Sequence, residues 1–306
     1  VAARESIVEF DASRGRHIVS ARTEHKAVLD PLKRLEREGY SVTYLTPDSS
    51  GIVQPQQVFD ALRPDTLLVS LMHVNNETGV VQDVGAVGAL CRERGILLHV
   101  DAAQSAGKMP IDVEALGVDL MSLTAHKVYG PKGVGALYLR RRPPLGLTPL
   151  IEGGGQEGGL RSGTLATHQI AGMGLAFELA AQEGAADSAR VTGLRERLWR
   201  GISSVGGVRL NGHPEQRIAG VLNVAFGDVE GESLQFSLRD LAVSAGAACS
   251  SESEEPSYVL RALGLSDAEA RSSLRFSLGR FSSEADIDLA IEAVRREVLR
   301  LRAVAP

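Results

Sequence analysis

The side chain best placed for covalent chemistry is Lys127, which comes just after a strand-like run at 119–123 and opens the turn Val128-Tyr129-Gly130-Pro131-Lys132-Gly133. A lysine at the end of a buried strand is costly unless it has a partner or a reaction. Turns often carry lysines, so Lys127 alone would read as a surface side chain. The other strand ends change that reading. Asp101 closes the apolar run 96–100, Gln104 stands just beyond it, and Thr124 and His126 flank the lysine. Pyridoxal 5'-phosphate (PLP) needs a lysine for a Schiff base, an acid for its protonated pyridine nitrogen, and donors for its phenolic oxygen and phosphate. Lys127, Asp101, Gln104, and the pair Thr124 and His126 supply these in turn.

The elements that must position them are short β-rich runs at 17–21, 42–45, 67–72, 96–100, 119–123 and 134–139, alternating with helical segments at 27–38, 55–62 and 84–94. Strands alternating with helices predict an α/β fold with a mostly parallel sheet. In such sheets ligands bind at the carboxyl ends of the strands, which is where Asp101 and Lys127 fall. After Thr164 the pattern changes to alanine- and leucine-rich helix over about 166–205, then short strands near 208–210, 221–226 and 275–278. This predicts a large domain over 1–184 and a smaller α+β domain over 185–306. The last helix has one apolar stripe, Ile287, Ile291, Val294, Val298 and Leu301, and a capping-box signal in Ser283 and Asp286.

The 306 residues are 43% hydrophobic and 23% charged, the composition of an ordinary globular chain with room for a sizeable core. A net charge of −5 offers no general attraction to nucleic acid or an anionic membrane, so a small molecule or protein partner is favoured. The basic run Arg140 to Arg142 reads as a solvated turn. Two distant cysteines, Cys91 and Cys249, without metal-ligand spacing, argue against a disulfide framework or a zinc site and fit a reducing, cytoplasmic setting. Cys91 lies inside an amphipathic helix and reads as a packing residue. His17, His99, His168 and His213 show no metal-ligand spacing either.

Several longer segments stand in a familiar order: Thr23-Glu24-His25-Lys26, Met72-His73-Val74-Asn75-Asn76-Glu77-Thr78-Gly79, Asp101-Ala102-Ala103-Gln104-Ser105, His126-Lys127-Val128-Tyr129-Gly130-Pro131-Lys132-Gly133 and Arg161-Ser162-Gly163-Thr164. They continue through Ser244-Ala245-Gly246-Ala247-Ala248-Cys249-Ser250, the stretch from Glu255 to Gly264, and Arg275-Phe276-Ser277-Leu278-Gly279. Together, from Arg16 onward, the chain resembles cysteine desulfurases of the iron-sulfur cluster assembly type, class V aminotransferase relatives with the PLP fold type I.

The resemblance implies conversion of L-cysteine to L-alanine, with the sulfur carried as a persulfide on Cys249. It makes Lys127 the Schiff-base lysine, stacks His25 over the cofactor ring for proton transfer, and assigns Asp101, Gln104, Asn76, Thr124, His126 and Thr164 to the cofactor. It has Asn76 and Arg275 hold the substrate carboxylate, a task suited to the planar fork of arginine. Cys249 sits among small polar residues ahead of Pro256, a composition that predicts a mobile loop. The neighbouring glutamates would raise its thiol pKa, so activation is expected from a group such as His25. Expected partners are a second copy of the chain and sulfur acceptors such as an iron-sulfur scaffold, with no nucleic acid and no membrane.

The family has a further N-terminal segment with a Gly-Ala-Thr turn that cradles the phosphate, and no such turn precedes His25. Backbone amides at a helix N-terminus are strong anion donors, so the expectation is weaker PLP binding, with Thr124, His126 and the partner subunit's Thr164 as remaining donors. The same residues would serve a selenocysteine lyase or an aminotransferase of this fold, and an inactive fragment is the alternative from outside enzymes.

Overall fold

The computed structural model describes residues 15–141, 145, 147–245 and 255–304. The chain forms two units, one of Val1–Leu45, Val53–Val74 and Gln82–Gly184, the other of Thr46–Ile52, Asn75–Val81 and Ala185–Pro306.

The first unit is built on six strands: β1 (His17–Ala21), β2 (Ser41–Leu45), β3 (Thr66–Met72), β4 (Leu97–Asp101), β5 (Leu120–Thr124) and β6 (Gly135–Leu139). Their order is β2-β1-β3-β4-β5-β6, parallel throughout except for the antiparallel pair β5 and β6. β1, β3 and β4 are buried along their whole length, which is why they read as mostly apolar runs, broken only by polar residues that find partners inside the sheet. Alternate side chains serve opposite faces. Ile18, Leu68, Leu97 and Leu120 pack with Val28, Leu32 and Leu35 of α1 (Lys26–Arg37). Val19, Val69, Leu98 and Met121 pack with Val58 of α2 (Pro55–Ala61) and with Val84, Val87 and Cys91 of α3 (Val84–Arg94). Gly95 ends α3 at φ 66°, a left-handed position that glycine takes without a Cβ clash.

Polar side chains inside this sheet are paired across strands. Ser20 Oγ donates to Ser70 O, Ser70 Oγ lies 2.9 Å from His99 Nδ1, and His99 Nε2 lies 2.9 Å from Ser122 Oγ. His17 likewise bridges Thr66 and Thr43 at 2.8 and 2.9 Å. One expectation needs correction. Arg140 is no solvated turn residue, because its Nε donates to the Asp119 carboxylate, and the two side chains are only 22% and 10% exposed.

One helix, α4 (Thr167–Ser203), contributes its first part to this unit and its remainder to the second. The second unit has an antiparallel sheet in the order β7 (Val208–Leu210), β8 (Val221–Phe226), β10 (Ser273–Ser277) and β9 (Ser244–Ala245). Short helices α5 (Gly231–Ser237), α6 (Tyr258–Ala262) and α7 (Asp267–Arg271) precede the long α8 (Glu284–Val304). Leu198 and Ile202 of α4, Val224, Phe226 and Leu274 of the sheet, and Val294 and Val298 of α8 make its core. The capping box forms: the Ser283 amide donates to Asp286 Oδ2 at 2.8 Å and Ser283 Oγ accepts from the Asp286 amide at 3.3 Å.

Candidate active site

In the first unit, the carboxyl ends of β1, β4 and β5 deliver most of the predicted site residues to one edge of the sheet. β1 leads to half-buried His25, the N-cap of α1, whose Nδ1 accepts from the Ala27 amide at 3.1 Å. With Nδ1 an acceptor, the neutral ring carries its proton on Nε2. β4 ends on Asp101, 7% exposed and paired in register with Ser122 of β5. Asp101 Oδ1 accepts from the Ala103 amide at 3.0 Å, which turns the chain towards Gln104. Gln104 Oε1 accepts from Lys108 Nζ at 3.1 Å, so the amide nitrogen is its remaining donor end.

β5 ends on Thr124, with Thr124 Oγ1 2.9 Å from His126 Nδ1. Partial burial, and then the charges of Lys127 and Lys132, hold the His126 imidazole below its ordinary range, so it is neutral at pH 7. The half-buried Lys127 sits in a turn whose Val128 and Gly130 amides both donate to Ala125 O at 3.0 Å. Tyr129 closes the turn at φ 66°, a conformation uncommon for an aromatic residue. Val128 is buried against Ala176 and Ala180. A Cβ on Gly107 would come within 2.4 Å of Val128 Cγ2, so the segment after β4 and the lysine turn are in close contact. Thr164 is exposed, ahead of α4.

The second unit brings Asn76 and Arg275 together. Arg275 lies within β10 and donates from Nη1 to Asn76 O at 2.9 Å. Asn76 Oδ1 and Arg275 Nε are buried and have no hydrogen-bond partner among the described residues. Cys249 lies outside the described residues.

The first-unit residues fit PLP by their chemistry. They offer an amine for its aldehyde, a buried carboxylate for its pyridine nitrogen, an amide donor for its phenolic oxygen, and a hydroxyl beside a neutral imidazole for its phosphate.

The aminotransferase class-V family matches residues 2–289. A cysteine desulfurase IscS of Aeromonas hydrophila is 59% identical over 302 residues, which cover 99% of this chain and 75% of that protein. The chain belongs to the class-V aminotransferases, as a cysteine desulfurase. A solved NifS-like protein matches the desulfurase with TM-score 0.88 and 34% identity, over 97% of this chain and 79% of its own. A structure of SspA in complex with cysteine matches with TM-score 0.80 and 40% identity, over 92% and 78% of the two chains. PLP is the cofactor of this enzyme family.

In the desulfurase, burial, and then the charge of Asp119, push the Cys91 thiol up to about 12. Cys91 is therefore a packed thiol at neutral pH, not a nucleophile. Three residues around the Asn76 and Arg275 pair received no role from the sequence, namely Glu77, Asn223 and Ser257, although Glu77 and Ser257 stand inside segments that carry the resemblance. The signal available was weak: Glu77 is an acidic residue in the polar stretch Asn75 to Gly79 that follows an apolar strand.

Proposed function

We propose that the desulfurase works with Lys127 as the lysine that carries PLP, Asp101 on the pyridine nitrogen, Gln104 on the phenolic oxygen, and Thr124, His126 and the partner subunit's Thr164 on the phosphate. What supports this reading is the placement of Asp101 and Lys127 at the same edge of neighbouring parallel strands, each followed by a turn that fixes it. When bound, PLP withdraws electrons from the substrate α-carbon. Lys127 then moves the α-proton, and His25, with its ring proton on Nε2, is the second group for proton transfer. Asn76 and Arg275 hold the substrate carboxylate, and Asn76 also meets the cofactor.

Cys249 attacks the sulfur of bound L-cysteine as a thiolate. A new S–S bond forms, the substrate C–S bond breaks with its electron pair left on carbon, and a proton completes L-alanine. The sulfur stays as a Cys249 persulfide for transfer to an acceptor such as an iron-sulfur scaffold protein. The working form is a cytoplasmic homodimer.

The test is Cys249→Ala. The variant is expected to keep the visible absorbance of bound PLP while its L-alanine formation falls at least a hundredfold. Unchanged L-alanine formation would remove Cys249 from the reaction.

A further inference from the structure

The turn that carries Asn76 is held by more polar contacts than a surface loop requires. Within it, Asn75 Oδ1 accepts from the Glu77 amide at 2.9 Å, the Thr78 amide at 2.9 Å and Thr78 Oγ1 at 3.1 Å. From β8, Asn223 Nδ2 donates to Glu77 O at 3.0 Å, and Asn223 Oδ1 accepts from Asn211 Nδ2 at 2.8 Å. Asn223 stands opposite Arg275 in the β8 and β10 register, so one residue pair anchors both the turn and the arginine strand.

The side chain of Glu77 runs inward. Its carboxylate, in a residue 5% exposed, accepts from Ser257 Oγ at 2.5 Å. A buried carboxylate costs stability unless it is well paired, so a role beyond packing is the simplest reason for one here.

We propose that Glu77 is a positioning residue for the substrate α-carboxylate: locked by Ser257, it fixes the turn so that Asn76 and Arg275 face the ligand together. The proposal rests on reading Asn76 and Arg275 as the carboxylate-binding pair. Burial pushes the Glu77 carboxyl up to about 7, against the hydrogen bond from Ser257 and the nearby Arg275 charge. The group thus sits close to the arginine it serves. Arg275 Nε and the Asn76 amide are the unsatisfied ends that a carboxylate would meet, since a half-turn of the amide presents its nitrogen.

The experiment measures, by calorimetry on the PLP-loaded protein, the dissociation constants of S-methyl-L-cysteine and of 2-(methylthio)ethylamine, which is the same molecule without the carboxylate. Glu77→Ala is expected to weaken the first about tenfold and the second less than twofold. Ser257→Ala should act in the same direction, and it carries the test if Glu77→Ala does not fold. Glu77→Gln keeps an acceptor for Ser257 and should restore binding to within about threefold. Arg275→Ala separates the two layers of the argument. If it shifts the ratio of the two constants and neither Glu77→Ala nor Ser257→Ala does, Glu77 has no positioning role and the carboxylate reading stands. If Arg275→Ala leaves the ratio unchanged, the carboxylate reading fails and the proposal with it.

Discussion

At the residue scale, Glu77 makes a claim about stability separate from ligand binding. Its carboxyl is pushed up from 4.5 to about 7 by burial, so between those values the folded chain holds a proton that the unfolded chain releases. Stability present below about pH 4.5 is therefore lost as pH rises through about 7. Each tenfold change in proton affinity is worth about 1.4 kcal/mol, which makes the whole effect about 3 kcal/mol. Urea unfolding of the parent and of Glu77→Gln at pH 5 and pH 8 checks it. The variant should gain on the parent by up to about 3 kcal/mol on going from the lower pH to the higher, and parallel pH profiles would show that Glu77 stays ionised when folded. His25 illustrates the same scale differently: its backbone contact is the one expected of any helix-start histidine, yet that contact sets which ring nitrogen carries the proton.

At the scale of elements, close approach decides the sign of a substitution that propensity alone would get wrong. Gly88 lies in the middle of α3, where alanine is ordinarily better by about 1 kcal/mol. A Cβ there would stand 1.9 Å from Leu116 O, whereas Gly193 in α4 has nothing within 4 Å. Gly88→Ala should lower the melting temperature, with a loss of about 1 to 3 kcal/mol from overpacking, while Gly193→Ala should raise it slightly. Shifts of the same sign in thermal unfolding would refute the contact. β1, β3 and β4 were legible because burial on both faces leaves mostly apolar runs, and the polar residues that follow β4 and β5 are also why Asp101 and Lys127 could be picked out. The helices α5, α6 and α7, of seven, five and five residues, went unread because they complete too few turns to show a period. Pairing direction was silent too, since the chain returning from the lysine turn as β6 reads the same whether it runs with β5 or against it. Glu77 meets Asn223 and Ser257 across 146 and 180 residues, a distance no local pattern encodes.

At the scale of the molecule, the two units have separate apolar cores. If Lys127 and Asp101 hold PLP as proposed, the cofactor should protect the first sheet before the second. At a hundredfold excess over its dissociation constant, a ligand stabilises the form that binds it by about 2.7 kcal/mol. Hydrogen exchange with and without PLP is expected to slow at the amides of β4 and β5 at least tenfold more than at those of β8. Equal slowing in both sheets would mean that the two cores open as one.

The path of the chain adds a constraint of order in time. The second unit takes Thr46–Ile52 and Asn75–Val81 from the early part of the sequence and the rest from Ala185 onward. During synthesis the first unit has its full set of segments once Gly184 has been made. The turn carrying Asn76 must wait for β8, which supplies Asn223, and then for β10, which supplies Arg275. Asn76 is thus translated early and seated late, and a chain released at Gly184 would leave the ribosome with that turn unmoored.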